Sequence, residues 1–398
     1  MGLAWVTLGS MLANLCSYLV HLPASRWLGP ASYGEFASLL QLLLVLAVPA
    51  LALQTVVARQ IVRGAGAAQM RRLGWRIALG SAVLAALAVP LAAAGLHTGV
   101  GTAAAALAAA PALVLLAVEQ GLLQGERRFR RLAVLLGIAG LGKLVFTVPG
   151  LLLGVGPALL GTTIGALVAA VVGRSLAGSP TGHDASADAG VRAVLGASSV
   201  QLVLAVFASL DLLLSRPVLG ATAAGTYALG AVAAKVAFWL PQAVGVVFFP
   251  QLATPERSRS ALRTMVLLLS GLGILCVAGA AVAAPLATLL AGEEYRPVQG
   301  WLWLFAAQGA LLALLQGLLL YSIATERTRM SALAWVILAV EAAVLLTLPH
   351  TVGEMITAAA LCAAAAVMVV GSVIAISSGR GSSGRSLRSA TRRASAGR

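Results

Sequence analysis

The sequence predicts an all-α polytopic membrane protein of about 12 transmembrane helices, built as two parallel-related six-helix bundles. Three observations carry that expectation. Of 398 residues, 60% are hydrophobic and only 10% charged, which leaves a soluble domain too little polar surface. The apolar runs are separated by short segments in which basic residues alternate from one loop to the next. Finally, ten residues from Leu28 to Ala37 return as Leu219 to Ala228, keeping Leu-Gly, a second Gly, and an aromatic before Ala. Each copy follows Ser-Arg (Ser25-Arg26, Ser215-Arg216) and leads into an apolar run with a proline, Pro49 or Pro241. Two related halves that enter the membrane the same way are most simply read as a transporter.

At roughly 20 apolar residues per crossing, the spans fall at 4–24, 33–57, 75–96, 102–124, 132–153, 156–175, 194–215, 223–248, 264–290, 298–323, 330–349 and 354–376. The arginines lie in or flank the even loops: Arg59, Arg63, Arg71, Arg72 and Arg76; then Arg127, Arg128, Arg130 and Arg131; then Arg174 and Arg192. Arg257, Arg259 and Arg263 continue the pattern, as do Arg327 and Arg329, whereas odd loops are charge-poor or acidic. By the positive-inside rule the even loops and both termini are expected to be cytoplasmic. A signal peptide is the alternative for 4–24. The basic start it needs is missing, and the repeat requires a partner for the span that ends near Asp211.

Composition divides the chain into a first bundle at 1–176, a linker at 177–190, a second bundle at 191–376 and a basic tail at 377–398. The linker includes Ser179-Pro180-Thr181-Gly182, and the Ser/Gly-rich tail has the composition of a disordered segment. The net charge of +15 sits in short clusters between apolar runs, a distribution suited to membrane orientation and not to nucleic acid. Cys16, Cys276 and Cys362 lie far apart in apolar runs with no ligand spacing, so neither a disulfide framework nor a metal site is expected.

Gly137-Ile138-Ala139-Gly140-Leu141-Gly142-Lys143-Leu144 nearly spells a phosphate-binding loop, but Leu144 replaces the magnesium-binding hydroxyl and no strand precedes it. No hydrolase or transferase motif is present, so neither enzyme chemistry nor a cofactor is expected. The remaining candidates are ionisable groups inside apolar helices, each of which costs a few kcal/mol when it faces lipid. Lys143 and Lys235 fall near mid-span and read as a cationic site for an anionic head group, or as partners of internal acids. Asp211, Glu341 and Glu119 read either as an ion or proton site or as charge-pairing groups. Arg26 and Arg216 read as exit or interfacial residues.

The chain resembles the bacterial polysaccharide-export and O-antigen-type flippases of the multidrug/oligosaccharidyl-lipid/polysaccharide exporter superfamily. The resemblance rests on Leu28-Gly29-Pro30, Tyr33-Gly34 and Phe36, on Gln120-Gly121 and Arg128-Phe129, and on Asp211, Gly225-Thr226-Tyr227-Ala228 and Lys235. Phe249-Pro250-Gln251-Leu252 and Gly292-Glu293-Glu294-Tyr295 extend it over most of the chain. It implies two bundles around a central cavity that opens alternately to either side. The implied substrate is a polyprenyl-pyrophosphate-linked oligosaccharide, flipped from the inner to the outer leaflet for surface polysaccharide assembly beside a polymerase or glycosyltransferases. An ion-coupled exporter of small organic cations on the same architecture is the main alternative, and a membrane scaffold for a polysaccharide synthase is a second.

Overall fold

The computed structural model describes residues 2–178, 194, 201–239, 258–324 and 329–395. The first two expected spans are joined without a loop: α1 (Gly2–Leu19), α2 (His21–Leu46) and α3 (Val48–Val62) follow one another directly. The two crossings are divided inside α2 at Gly29, whose φ of 68° and ψ of 168° belong to neither helix. Glycine takes that positive φ without a Cβ clash, and Pro30 then supplies a φ already set for a helix start.

α4 (Ala67–Gly95) starts eight residues before the expected span, so that Arg71 and Arg72 are helical and not loop residues. The apolar count marks only the hydrocarbon core, and the helix extends past it into the interface. α5 (Val100–Leu107) and α6 (Ala109–Gly125) share one crossing, followed by α7 (Phe129–Leu151) and α8 (Val155–Ala177). After helical residues 201–207 come α9 (Leu210–Leu219) and α10 (Ala221–Trp239), then α11 (Ser258–Ala283) and, past Pro285, the short α12 (Leu286–Ala291). A 3-10 stretch at Glu293–Trp301 leads to α13 (Leu302–Ala324), α14 (Arg329–Thr347) and α15 (Val352–Ser395).

Among the described residues ten segments are long and apolar enough to cross a membrane. One of them, Ala4–Val62, has 59 residues and holds two crossings divided at Gly29. With that division and the shorter α14, the described residues supply twelve crossings, those of a multi-pass membrane protein. The linker expected at 177–190 lies almost wholly outside the described residues, as do Pro241 and Phe249-Pro250-Gln251-Leu252.

Packing groups the chain into two compact units. The first comprises Met1–Val232, Ala283–Trp301 and Leu345–Met355, and the second Ala233–Val282, Leu302–Val344 and Ile356–Arg398. In the first unit α7 lies between α1 and α8 with backbones nearly touching. A Cβ on Gly165 would sit 2.7 Å from the Gly142 carbonyl of α7, and one on Gly140 would sit 2.5 Å from Cα of Ala13 in α1. Lipid supplies no hydrophobic drive between helices, so such close small-residue faces carry the association. The Thr147 and Thr162 hydroxyls add a hydrogen bond of 2.9 Å across α7 and α8. Leu53, Val57, Met70, Leu122 and Leu123 fill the core under α3, α4 and α6. In the second unit α10 and α13 approach through Ala234 and Gly309, and Met265 and Leu269 of α11 lie against Gly317 of α13.

Candidate functional site

The two copies of the duplicated segment meet at one end of the first unit. Gly29 and Gly220 hold the same position in the repeat and the same backbone shape, φ 68° with ψ 168° and φ 82° with ψ 173°. Each sets the direction of the helix that follows it. Five residues on, Gly34 and Gly225 lie against each other. A Cβ on Gly34 would fall 2.8 Å from the Gly225 nitrogen and 3.3 Å from the Ala221 oxygen, and one on Gly225 would run into the Pro30 carbonyl. Pro30 and Ala221 are themselves repeat equivalents, so this crossing has approximate two-fold symmetry.

Buried polar groups ring the crossing. Ser25 and Ser215 each donate to a carbonyl three residues back, Leu22 at 2.9 Å and Leu212 at 2.7 Å. His21 precedes Ser25 by the spacing at which Asp211 precedes Ser215. His21 Nδ1 lies 3.0 Å from Tyr33 Oη, while the Asp211 carboxylate accepts from Tyr227 Oη at 2.7 Å and from the Leu212 N–H at 2.8 Å. Tyr295 stacks edge-on against Tyr33, with ring centroids 6.1 Å apart, and donates to the Ser25 carbonyl at 3.1 Å. Gln41 Nε2 donates to Ser209 Oγ at 2.5 Å.

Arg216 closes this end. It is 8% exposed, and its guanidinium donates to the carbonyls of Leu96 (2.5 Å), Ala31 (3.0 Å) and His97 (3.4 Å), with Glu35 at 4.0 Å. Thr98 Oγ1 donates to the same Glu35 carboxylate. The planar fork of arginine suits several fixed acceptors. Arg26, which follows the other copy of Ser-Arg, is exposed instead, so the two arginines differ in burial.

At the opposite, arginine-rich end, Glu119 is 5% exposed and held in a bidentate pair by Arg71 at 2.8 and 2.7 Å, with Arg174 at 3.9 Å. Three arginines also cap the last carbonyls of α8: Arg131 on Leu176, Arg128 on Ala177 and Arg71 on Gly178, at 2.7 to 3.0 Å. Cations suit the negative end of a helix and its orphan carbonyls.

Lys143 is half-buried on α7, eight residues or roughly 12 Å from its end, and makes no ion pair among the described residues. Lys235 is half-buried on α10 in the second unit, and Glu341 is 1% exposed on α14 in the same unit. Asp211, Arg216, Arg26, Glu119 and Lys143 belong to the first unit, where Asp211 and Arg216 join the repeat crossing and Glu119 joins the arginines. Sequence reasoning missed His21 and Glu35, and it named Tyr33, Tyr227 and Tyr295 only as carriers of the resemblance, not as site residues. The signal for His21 was available: it aligns with Asp211 once Ser25 is placed on Ser215. Among the described residues no group of three or more His, Cys, Asp or Glu is placed to hold a metal ion.

No family model and no curated protein sequence matches the chain. Solved structures do. An inward-facing multidrug resistance MATE family transporter of the MOP superfamily superposes with a TM-score of 0.68 at 14% identity, over 94% of this chain and 98% of the other. The lipid II flippase MurJ, in an inward closed conformation, superposes at 0.67 with 10% identity over 93% and 87%.

The chain shares the fold of these two transporters.

A MOP superfamily transporter from Pyrococcus furiosus, described as having reversed polarity of its binding pocket, gives 0.63 at 14% identity over 93% of each chain. Proteins that share this MOP fold thus include both a multidrug transporter and a lipid II flippase.

Proposed function

We propose that the protein is a flippase for an anionic lipid-linked substrate, a polyprenyl-pyrophosphate-linked oligosaccharide moved from the inner to the outer leaflet of a bacterial plasma membrane. The product would serve surface polysaccharide assembly by a polymerase or glycosyltransferases. Lys143 carries the reading: it is a half-buried ammonium on a membrane helix with no ion pair among the described residues. Such a cation costs a few kcal/mol in hydrocarbon and marks a substrate or ion path by default. Because α1 and α8 clamp α7 backbone to backbone, the lysine is presented from a rigid element, which suits a binding group. Lys235, from the other half of the sequence, is the second cation proposed to receive the substrate.

In this reading the arginine-rich end and both termini face the cytoplasm, and the repeat crossing faces outward. The Gly34–Gly225 contact then seals the exit, and substrate leaves when Arg216 releases the Ala31 and Leu96 carbonyls. Arg26 stands at the same face as an interfacial or exit residue.

The test is outward movement of lipid-linked sugar in cells that lack their own flippase. Lys143→Ala and Lys235→Ala are each expected to lower it at least about tenfold, the scale of one charge-assisted hydrogen bond, at normal levels in the membrane. Full complementation by both variants would overturn the cationic site and favour the scaffold reading. A second reading, ion-coupled export of small organic cations, draws on the buried acids Asp211 and Glu341 and on the MATE neighbour. It predicts dye efflux that Asp211→Asn abolishes and that Lys143→Ala leaves intact.

A further inference from the structure

At the arginine-rich end of the first unit a cavity of about 830 Å³ opens between α4, α6 and α8. Its upper rim carries Arg71, Arg72 and Arg174, and its floor carries Glu119. Arg71 spends its donors on Glu119 and the Gly178 carbonyl, which neutralises that acid and leaves the rim cationic. Arg72 is exposed and makes no ion pair among the described residues, and Arg174 is 63% exposed, 3.9 Å from Glu119. Below the arginines the walls turn apolar. Leu167 and Val171 continue the face of α8 that bears Arg174, at spacings of four and three residues, and both are exposed, as is Trp75 on α4 one turn from Arg71 and Arg72.

A basic rim over an exposed apolar trough, with an amphipathic indole at the junction, has two halves of different chemistry. The rim complements a phosphate, and the trough complements an alkyl chain. A soluble anion would use only the rim. We infer that this cleft binds an anionic glycerophospholipid of the leaflet at that face, with the headgroup phosphate between Arg72 and Arg174 and one acyl chain along Trp75, Leu167 and Val171. Basic pockets between membrane helices on the cytoplasmic side have the general properties such lipids need. The site lies apart from Lys143 and from the repeat crossing, and it holds whichever substrate the transporter carries.

Native mass spectrometry of the full-length protein, released from detergent with phosphatidylglycerol or phosphatidylcholine added, tests this directly. Wild-type protein is expected to retain phosphatidylglycerol in preference to phosphatidylcholine. The double variant Arg72→Gln, Arg174→Gln is expected to weaken phosphatidylglycerol binding at least about tenfold, because the phosphate then has neither of its two cationic partners. Val171→Trp, which fills the trough and leaves every arginine in place, is expected to weaken it as well and guards against a folding defect in the charge variant. Equal retention of the two lipids, or wild-type retention by both variants, would overturn the inference. So would competition by soluble glycerol phosphate at the concentration at which the lipid binds, since that would assign the rim to a free anion.

Discussion

Arg216 and Arg26 follow the same dipeptide position in the repeat and have different surroundings. Arg216 is locked onto three carbonyls and approaches Glu35, so replacing it removes the donor that ties α9 to the Leu96, Ala31 and His97 carbonyls and the cation beside Glu35. Arg216→Gln is therefore expected to loosen this end. A cysteine placed nearby, for instance at Ala31, should react with a membrane-impermeant thiol reagent several-fold faster than in the parent, whereas Arg26→Gln should leave that rate unchanged. Glu119 offers a second residue-scale test. Its pair with Arg71 is almost entirely buried, with side-chain exposures of 11% and 7%. Glu119→Gln strands a guanidinium, and breaking a buried pair costs about 3 kcal/mol. Thermal melting of the purified protein should fall by several degrees, and the further change Arg71→Met should recover part of the loss.

Among the elements, α7 and α8 show what the apolar count leaves out. Both read from sequence simply as apolar spans, yet their contact depends on Gly161 and Gly165, one turn apart, facing Phe146 and Gly142. Gly165→Leu is expected to abolish folded protein, seen as loss of a monodisperse peak in detergent, because the side chain would meet the backbone of α7. Lys143 lies in that same stretch of α7, with its backbone nitrogen against Gly165. The arginines of the even loops also gain a second role at this scale. Arg71, Arg128 and Arg131, read from sequence as orienting charges, terminate α8 by satisfying its last carbonyls. Spacing along the sequence could not reveal this, since Arg71 is separated from Gly178 by most of the first half.

For the whole molecule, the proposed cycle requires the repeat crossing to open. Tyr33 and Tyr295 pack edge to face there from opposite halves of the sequence. In a background with Cys16, Cys276 and Cys362 replaced, the pair Tyr33→Cys and Tyr295→Cys bridged by a short thiol cross-linker with a reducible spacer is expected to stop transport, and reductant should restore it. Unimpaired transport by the bridged protein would show that this end stays closed throughout the cycle. The existence of two halves, the number of crossings and the alternation of basic loops were all legible in the chain, because composition and charge act locally on membrane insertion. The break within Ala4–Val62 was legible as well, in Gly29-Pro30, although the absence of any loop there was not.

By itself the sequence determined that the chain spans a membrane many times, that it contains a duplicated segment, and which few ionisable groups lie inside apolar helices. Those are properties of composition, period and spacing. Only the tertiary structure decided that the duplicated segments cross at Gly34 and Gly225, that Asp211 is bonded to Tyr227 and Glu119 to Arg71, and that Arg216 is buried while Arg26 is exposed. The reason is physical: the energy of a charge within the bilayer depends on the acceptors within about 3 to 4 Å of it, and helices far apart in the chain supply those acceptors.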